Sequence, residues 1–238
     1  MQYRGESSTH TSETAAVFTR TLAGLKRRGS GLLLVGPQPV MGPACDRFLG
    51  ESRTEPRQRL FVQTDGKREC AHGACGNTHS NGGRVKIIER STHTRSATTV
   101  ADDYHEETGI GDDPDRVVLT SGSLPRLGIT VSECIDEFER ERGELASGEL
   151  RVCFDSLAPL LADHDQESVF RFLHILTARV RNVNGMAHFH LPGQMDSAIV
   201  NTLAPVFDAV VEVRMRGGQA EQRWKLVQQD VTTDWLAL

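Results

Sequence analysis

Short apolar runs alternate with amphipathic stretches along most of this chain. Residues 32–35 are continuously apolar between Gly31 and Gly36, as in a strand covered on both faces. Ahead of them, Phe18, Leu22 and Leu25 recur at helical spacing within residues 12–28, and Lys26, Arg27, Arg28 and Gly29 follow. The cations suit a helix C-terminal dipole and the glycine stops the helix. Residues 41–49 then read as a short helix and residues 59–64 as a second strand. Past residue 115 the regular pattern resumes with a strand at 116–120 and a helix over 129–142, where Val131, Cys134, Ile135 and Phe138 mark the apolar face and Gly143 the stop.

The second half is more regular still. Residues 150–156 form a strand that ends in Asp155-Ser156, and the next helix starts at about Leu157. Val169, Leu173, Leu176 and Val180 mark a long amphipathic helix, followed by a strand at 186–191, a helix at 195–203 and a strand at 206–213. Gly217-Gly218 turns the chain into an antiparallel partner at 222–227. Strands and helices that alternate and close on a hairpin predict an α/β fold with a mostly parallel sheet and helices on both faces. Residues 1–238 are expected to form a single domain. Within it, residues 65–115 are an irregular insertion with one strand at 85–88.

Charge and cysteine usage narrow the partners. The net charge of −5 gives no basic stripe for nucleic acid, and lysine occurs only at Lys26, Lys67, Lys86 and Lys225. The first residues, MQYRGESSTHTSE, lack an apolar signal core, and no run is long enough to span a membrane. A cytoplasmic protein is expected. The five cysteines are an odd number, which argues against a disulfide framework; Cys45, Cys134 and Cys153 fall in apolar patterns and read as small buried hydrophobes.

The strand at 32–35 runs into a turn with the outline of a phosphate loop. Gly36 and Gly42 stand near the required places, but their spacing is one residue too long, and Pro43-Ala44 replaces the Lys-Ser or Lys-Thr pair. Pro37, Pro39 and Pro43 carry no amide hydrogen. Three missing donors at about 1.5 kcal/mol each weaken triphosphate binding by about a thousand-fold or more.

Taken together, GLLLVG at 31–36, RLFVQT at 59–64, LRVCFDS at 150–156, GMAHFHLP at 185–192 and FDAVVEVRMRGGQAEQRWKL at 207–226 resemble the RecA/KaiC-like branch of P-loop ATPases. The chain resembles more closely a family of haloarchaeal HTR-like proteins with similar LRVCFDSL, GMAHFHLP and QRW segments. The resemblance implies a RecA/KaiC-like fold, places Asp155 where a Walker B aspartate holds magnesium through water, and puts Thr64, Asp65 and Gly66 where active relatives carry a catalytic glutamate. Gly36, Gly42, Asp155, Ser156 and His190 are then vestigial positions of a nucleotide site. Read from the residues alone, Asp155 or Ser156 caps the helix that follows.

His188 and His190 alternate along their strand and share one face. They read as hydrogen-bonded structural histidines at the sheet edge rather than as ligands, since two ligands do not make a metal site. Cys70, His72, Cys75 and His79 are ligand types that zinc accepts, but C-x-H-x2-C-x3-H is not a common spacing. Arg179, Arg181, Arg214, Arg216 and Arg223 read as solvated charges, with the alternative that one reaches a neighbour's phosphate in a ring. Trp224 reads as core and Trp235 as a pin for the C-terminus.

The expected function is a non-hydrolysing RecA/KaiC-like module, a pseudo-ATPase without cofactor or metal, that regulates or signals through an unidentified protein partner. Homo-oligomers are compatible with this reading. A deviant ATP-binding NTPase and a small zinc-binding module stay open as alternatives.

Overall fold

A computed structural model describes residues 6–50, 56–64, 83–90, 108–110, 115–120 and 122–238, with side chains described from residue 15 onward except within 108–110. The described elements are, in order, α1 (Glu6–Arg28), β1 (Ser30–Gly36), α2 (Gln38–Leu49), β2 (Gln58–Gln63), β3 (Val85–Arg90), β4 (Thr108–Ile110), β5 (Arg116–Leu119) and α3 (Leu124–Arg142). There follow β6 (Leu150–Phe154), α4 (Ala158–Asp163), α5 (Gln166–Asn182), β7 (Met186–Pro192), α6 (Ala198–Leu203), β8 (Ala209–Arg216), β9 (Gln219–Leu226), β10 (Val231–Thr232) and β11 (Leu236–Ala237).

One sheet runs through the molecule in the order β10-β9-β8-β1-β7-β6-β2-β3-β5-β4, with β11 on β9. The pairs from β8 to β5 are parallel, and β9 returns antiparallel on β8 with Arg216 opposite Gln219. The expected α/β architecture with its C-terminal hairpin is therefore present. Strand alternation divides β1 between two layers. Leu33 and Val35 pack with residues of α3, α5 and α6, whereas Leu32 and Leu34 pack with Val40, Met41 and Ala44 of α2 and Phe18 and Leu22 of α1.

Several boundaries differ from the sequence reading for local reasons. The helix α2 begins at Gln38 rather than 41, because Pro37 supplies an extended N-cap and Pro39 fits the first turn, where its missing N–H costs no internal bond. Likewise α3 begins at Leu124, five residues early, since Ser123 accepts from the Arg126 N–H and Pro125 occupies the first turn. Residues 204–206 form a 3-10 turn, so β8 starts only at Ala209. The strand holding His188 and His190 is not at an edge: β7 lies between β1 and β6. Buried Asp208 ties the sheet to α5, accepting from the Gly31 N–H at 2.9 Å and from Arg181 Nε and Nη2 at 3.1 and 3.0 Å.

Candidate functional site

Ligands of open α/β sheets gather outside the carboxyl ends of the strands. At that end of β1 the connection to α2 is a single residue, Pro37. A phosphate loop needs several residues between strand and helix, so that successive N–H groups turn inward around the anion. Here the Val40 N–H already donates to the Pro37 carbonyl at 3.0 Å. Gly42 lies within α2, one residue before Pro43, and so is not part of any loop. Gly36 lies close against β8. A Cβ on it would sit 2.3 Å from the Val213 carbonyl oxygen and 2.7 Å from Val213 Cγ2, so the absence of a side chain lets β1 approach β8.

Asp155, which the resemblance likens to a Walker B aspartate, is engaged by Thr64. Asp155 Oδ1 accepts from both the Thr64 N–H and the Thr64 hydroxyl, each at 2.8 Å, and the Asp155 N–H donates to the Val62 carbonyl. The carboxylate thus fastens the end of β2 to the end of β6. It does not cap α4, whose N-cap residue is Leu157 without a side-chain bond. Of the two candidate caps, Ser156 comes nearer, its Oγ accepting from the Ala158 N–H at 3.2 Å. His190 joins the same region through its backbone, where the carbonyl accepts from Leu157.

A cleft of about 890 Å³ opens beside the turn, lined among others by Gly36, Pro37, Gly193, Arg214, Arg223 and Lys225. Its arginines have partners at home. Arg214 Nε donates to Glu221 at 2.8 Å and Arg223 Nη2 to Glu212 at 2.6 Å. Both guanidinium groups also lie over the Trp235 ring, at 3.6 and 4.7 Å from its centre, which holds the C-terminal segment against the hairpin. Arg179 pairs with Asp136 and Glu139, and Arg181 with Asp208.

Beneath the turn, on the face of the sheet that α2 covers, Cys45, Cys153, His188 and His190 converge. One ligand atom from each lies within 4.8 Å of all the others, and all four residues are buried. Register explains the meeting: Cys153 of β6 is opposite His188 of β7, and His190 is opposite Leu34 of β1. His188 Nε2 is 3.1 Å from Cys45 Sγ, the two sulfurs are 3.4 Å apart, and Cys153 Sγ is 3.9 Å from His190 Nε2. Burial, and then the contact with Cys45, push the Cys153 thiol well above its ordinary range. In the sequence these residues stand apart, two in apolar patterns and two alternating on one strand. The other Cys/His set, Cys70, His72, Cys75 and His79, lies outside the described residues.

A second groove, about 850 Å³, runs between α3 and α5 and includes Ile129 and Ile175, which are 50% and 69% exposed. No helix among the described residues is long and apolar enough to cross a membrane.

No curated protein matches this sequence. Among solved structures, the chain is similar to a KaiC-like protein of the hyperthermophilic archaeon Pyrococcus horikoshii, with a TM-score of 0.50 over 83% of this chain and 78% of that one, at 7% identity. So distant a likeness speaks for the fold alone, and it agrees with the RecA/KaiC-like architecture. Residues 29–213, spanning β1 to the middle of β8, match the family of unknown function DUF7504, and the chain belongs to that family.

Proposed function

We propose that this protein is a non-hydrolysing RecA/KaiC-like module that regulates or signals through protein contacts. The observation that carries the reading is the one-residue connection at Pro37 between β1 and α2, which leaves no cradle of amide donors for a triphosphate. The Asp155 carboxylate adds to it by fastening Thr64, and the exposed Ile129 and Ile175 between α3 and α5 offer apolar surface for contact. The resemblance to HTR-like proteins extends the reading to a cytoplasmic haloarchaeal signalling protein. An ATPase assay on purified protein tests it: turnover no higher than that of an Asp155→Ala variant is expected, and magnesium-dependent turnover well above that control would remove the proposal.

A second reading, a deviant NTPase, is favoured by one feature, the cleft of about 890 Å³ at the carboxyl ends of β1 and β7. The cation it requires could come from Lys225, which also lines the cleft, from Arg214 or Arg223 released from its ion pair, or from a partner. Absence of calorimetric ATP binding at millimolar nucleotide, with magnesium and high salt, ends that reading.

A further inference from the structure

We propose that Cys45, Cys153, His188 and His190 form a closed metal site for a thiophilic divalent cation of the zinc class, held between α2 and the sheet. The inference does not depend on the nucleotide reading. It rests on which side chains meet, how they are spaced and what surrounds them.

Structural zinc is bound by four Cys and His ligands in a tetrahedron, with Zn–S of about 2.3 Å and Zn–N of about 2.0–2.1 Å. Those bond lengths set the edges of the tetrahedron at about 3.8 Å between sulfurs and about 3.6 Å between sulfur and nitrogen. The structure has 3.4 Å for the Cys45–Cys153 edge, and 3.1 and 3.9 Å for the Cys45–His188 and Cys153–His190 edges. Each lies within about half an ångström of the ideal edge, and one ligand atom from each of the four residues lies within 4.8 Å of all the others. Two sulfurs and two imidazole nitrogens are also the donor set that selects zinc over magnesium, calcium or manganese, which favour oxygen.

The surroundings are those of a structural site. Cys45, Cys153, His188 and His190 are 0%, 1%, 2% and 1% exposed. Leu49, Phe61, Val85 and Ile87 pack around the two cysteines, and the Phe48 ring lies 5.6 Å from that of His188. Catalytic zinc sites keep a position open to water; here all four ligand residues are buried, and the apolar side chains named above pack beside them. A core built for packing alone is served better by leucine or valine, because buried imidazoles and thiols need polar partners. A cation satisfies all four at once. It also joins three segments far apart in the chain, α2, β6 and β7, directly behind the Gly36–Pro37 turn. A bound ion would therefore fix α2 against the sheet.

The test uses full-length protein without an affinity tag, expressed in zinc-supplemented medium. Metal analysis should find about one zinc per chain, and X-ray absorption at the zinc edge should show two sulfur and two nitrogen neighbours. A Cys45→Ser/Cys153→Ser variant should lose the metal at least tenfold, while Cys70→Ser/Cys75→Ser keeps it. If the first variant does not fold, the absorption spectrum of Cys70→Ser/Cys75→Ser decides: one zinc per chain with two sulfur and two nitrogen neighbours supports the site, and loss of the metal there overturns it. Three results would overturn the proposal: less than a tenth of a zinc per chain in wild-type protein, zinc that disappears with Cys70 and Cys75 instead, or a Cys45–Cys153 disulfide in native protein that takes up no metal after reduction.

Discussion

Replacing Gly36 by alanine separates a packing role from a phosphate role at the most suggestive glycine in the chain. The added Cβ would stand 2.3 Å from the Val213 oxygen and 2.7 Å from Val213 Cγ2. Ordinary van der Waals contact begins near 3.4 Å, so β1 and β8 must part by roughly 1 Å at this point, as overpacked cores do. Overpacking costs about 1–3 kcal/mol. The neighbouring Val35–Glu212 end of the ladder stands to lose a hydrogen bond worth about 1 kcal/mol. The sum is a destabilisation of about 2–4 kcal/mol, or roughly 4–16 °C in Tm for a chain of this size. Urea denaturation and thermal unfolding followed by circular dichroism measure it. If Gly36→Ala unfolds within about 0.5 kcal/mol of wild type, the packing argument is wrong.

Other substitutions probe the remaining ties. Thr64→Val removes the hydroxyl that lies between Asp155 Oδ1 and the Ser156 carbonyl and should lower stability by about 1.5–3 kcal/mol, with Thr64→Ser close to wild type; equal urea midpoints for all three proteins would contradict a stabilising role for these contacts. Asp208→Ala strips the acceptor from the Gly31 N–H and leaves Arg181 without its carboxylate. Since Arg181 is partly exposed, a loss of about 3 kcal/mol is expected, at the low end for broken buried pairs, and one below about 1 kcal/mol refutes the assignment. The Arg84 guanidinium beside Glu141 holds that carboxyl below its ordinary range. A depressed carboxylate contributes stability above the unfolded value of about 4.3 and loses it as pH falls. Because Glu141 is 47% exposed, the gap between wild type and Glu141→Gln should stay under about 1 kcal/mol at neutral pH. It should close toward pH 3, and a gap unchanged there would contradict the pair.

The parallel sheet was legible because its strands are short apolar runs between helices of clear periodicity, as with residues 32–35 and 186–191. Proline obscured the helix starts. Pro39 and Pro125 look like breakers in a periodic reading, yet each occupies a first turn where no amide is required. The three-residue β4 lies in the insertion and has too few positions to show alternation. For the Cys/His cluster, only the His188–His190 alternation was local. Cys45 is 108 residues from Cys153 and 143 from His188, so no spacing motif exists to find. What unites the four is sheet order, which places β6 next to β7, together with the crossing of α2 over both. The engagement of Asp155 by Thr64 was hidden for the same reason, since the ends of β2 and β6 are neighbours only in the folded sheet.

The most direct measurement is an isothermal titration of the purified full-length protein with magnesium-ATP at millimolar nucleotide and high salt. A β1–α2 connection of one proline predicts no saturable binding tighter than about 1 mM, roughly a thousand-fold weaker than an intact phosphate loop. A micromolar Kd that disappears in Asp155→Ala would show that the turn still grips a triphosphate.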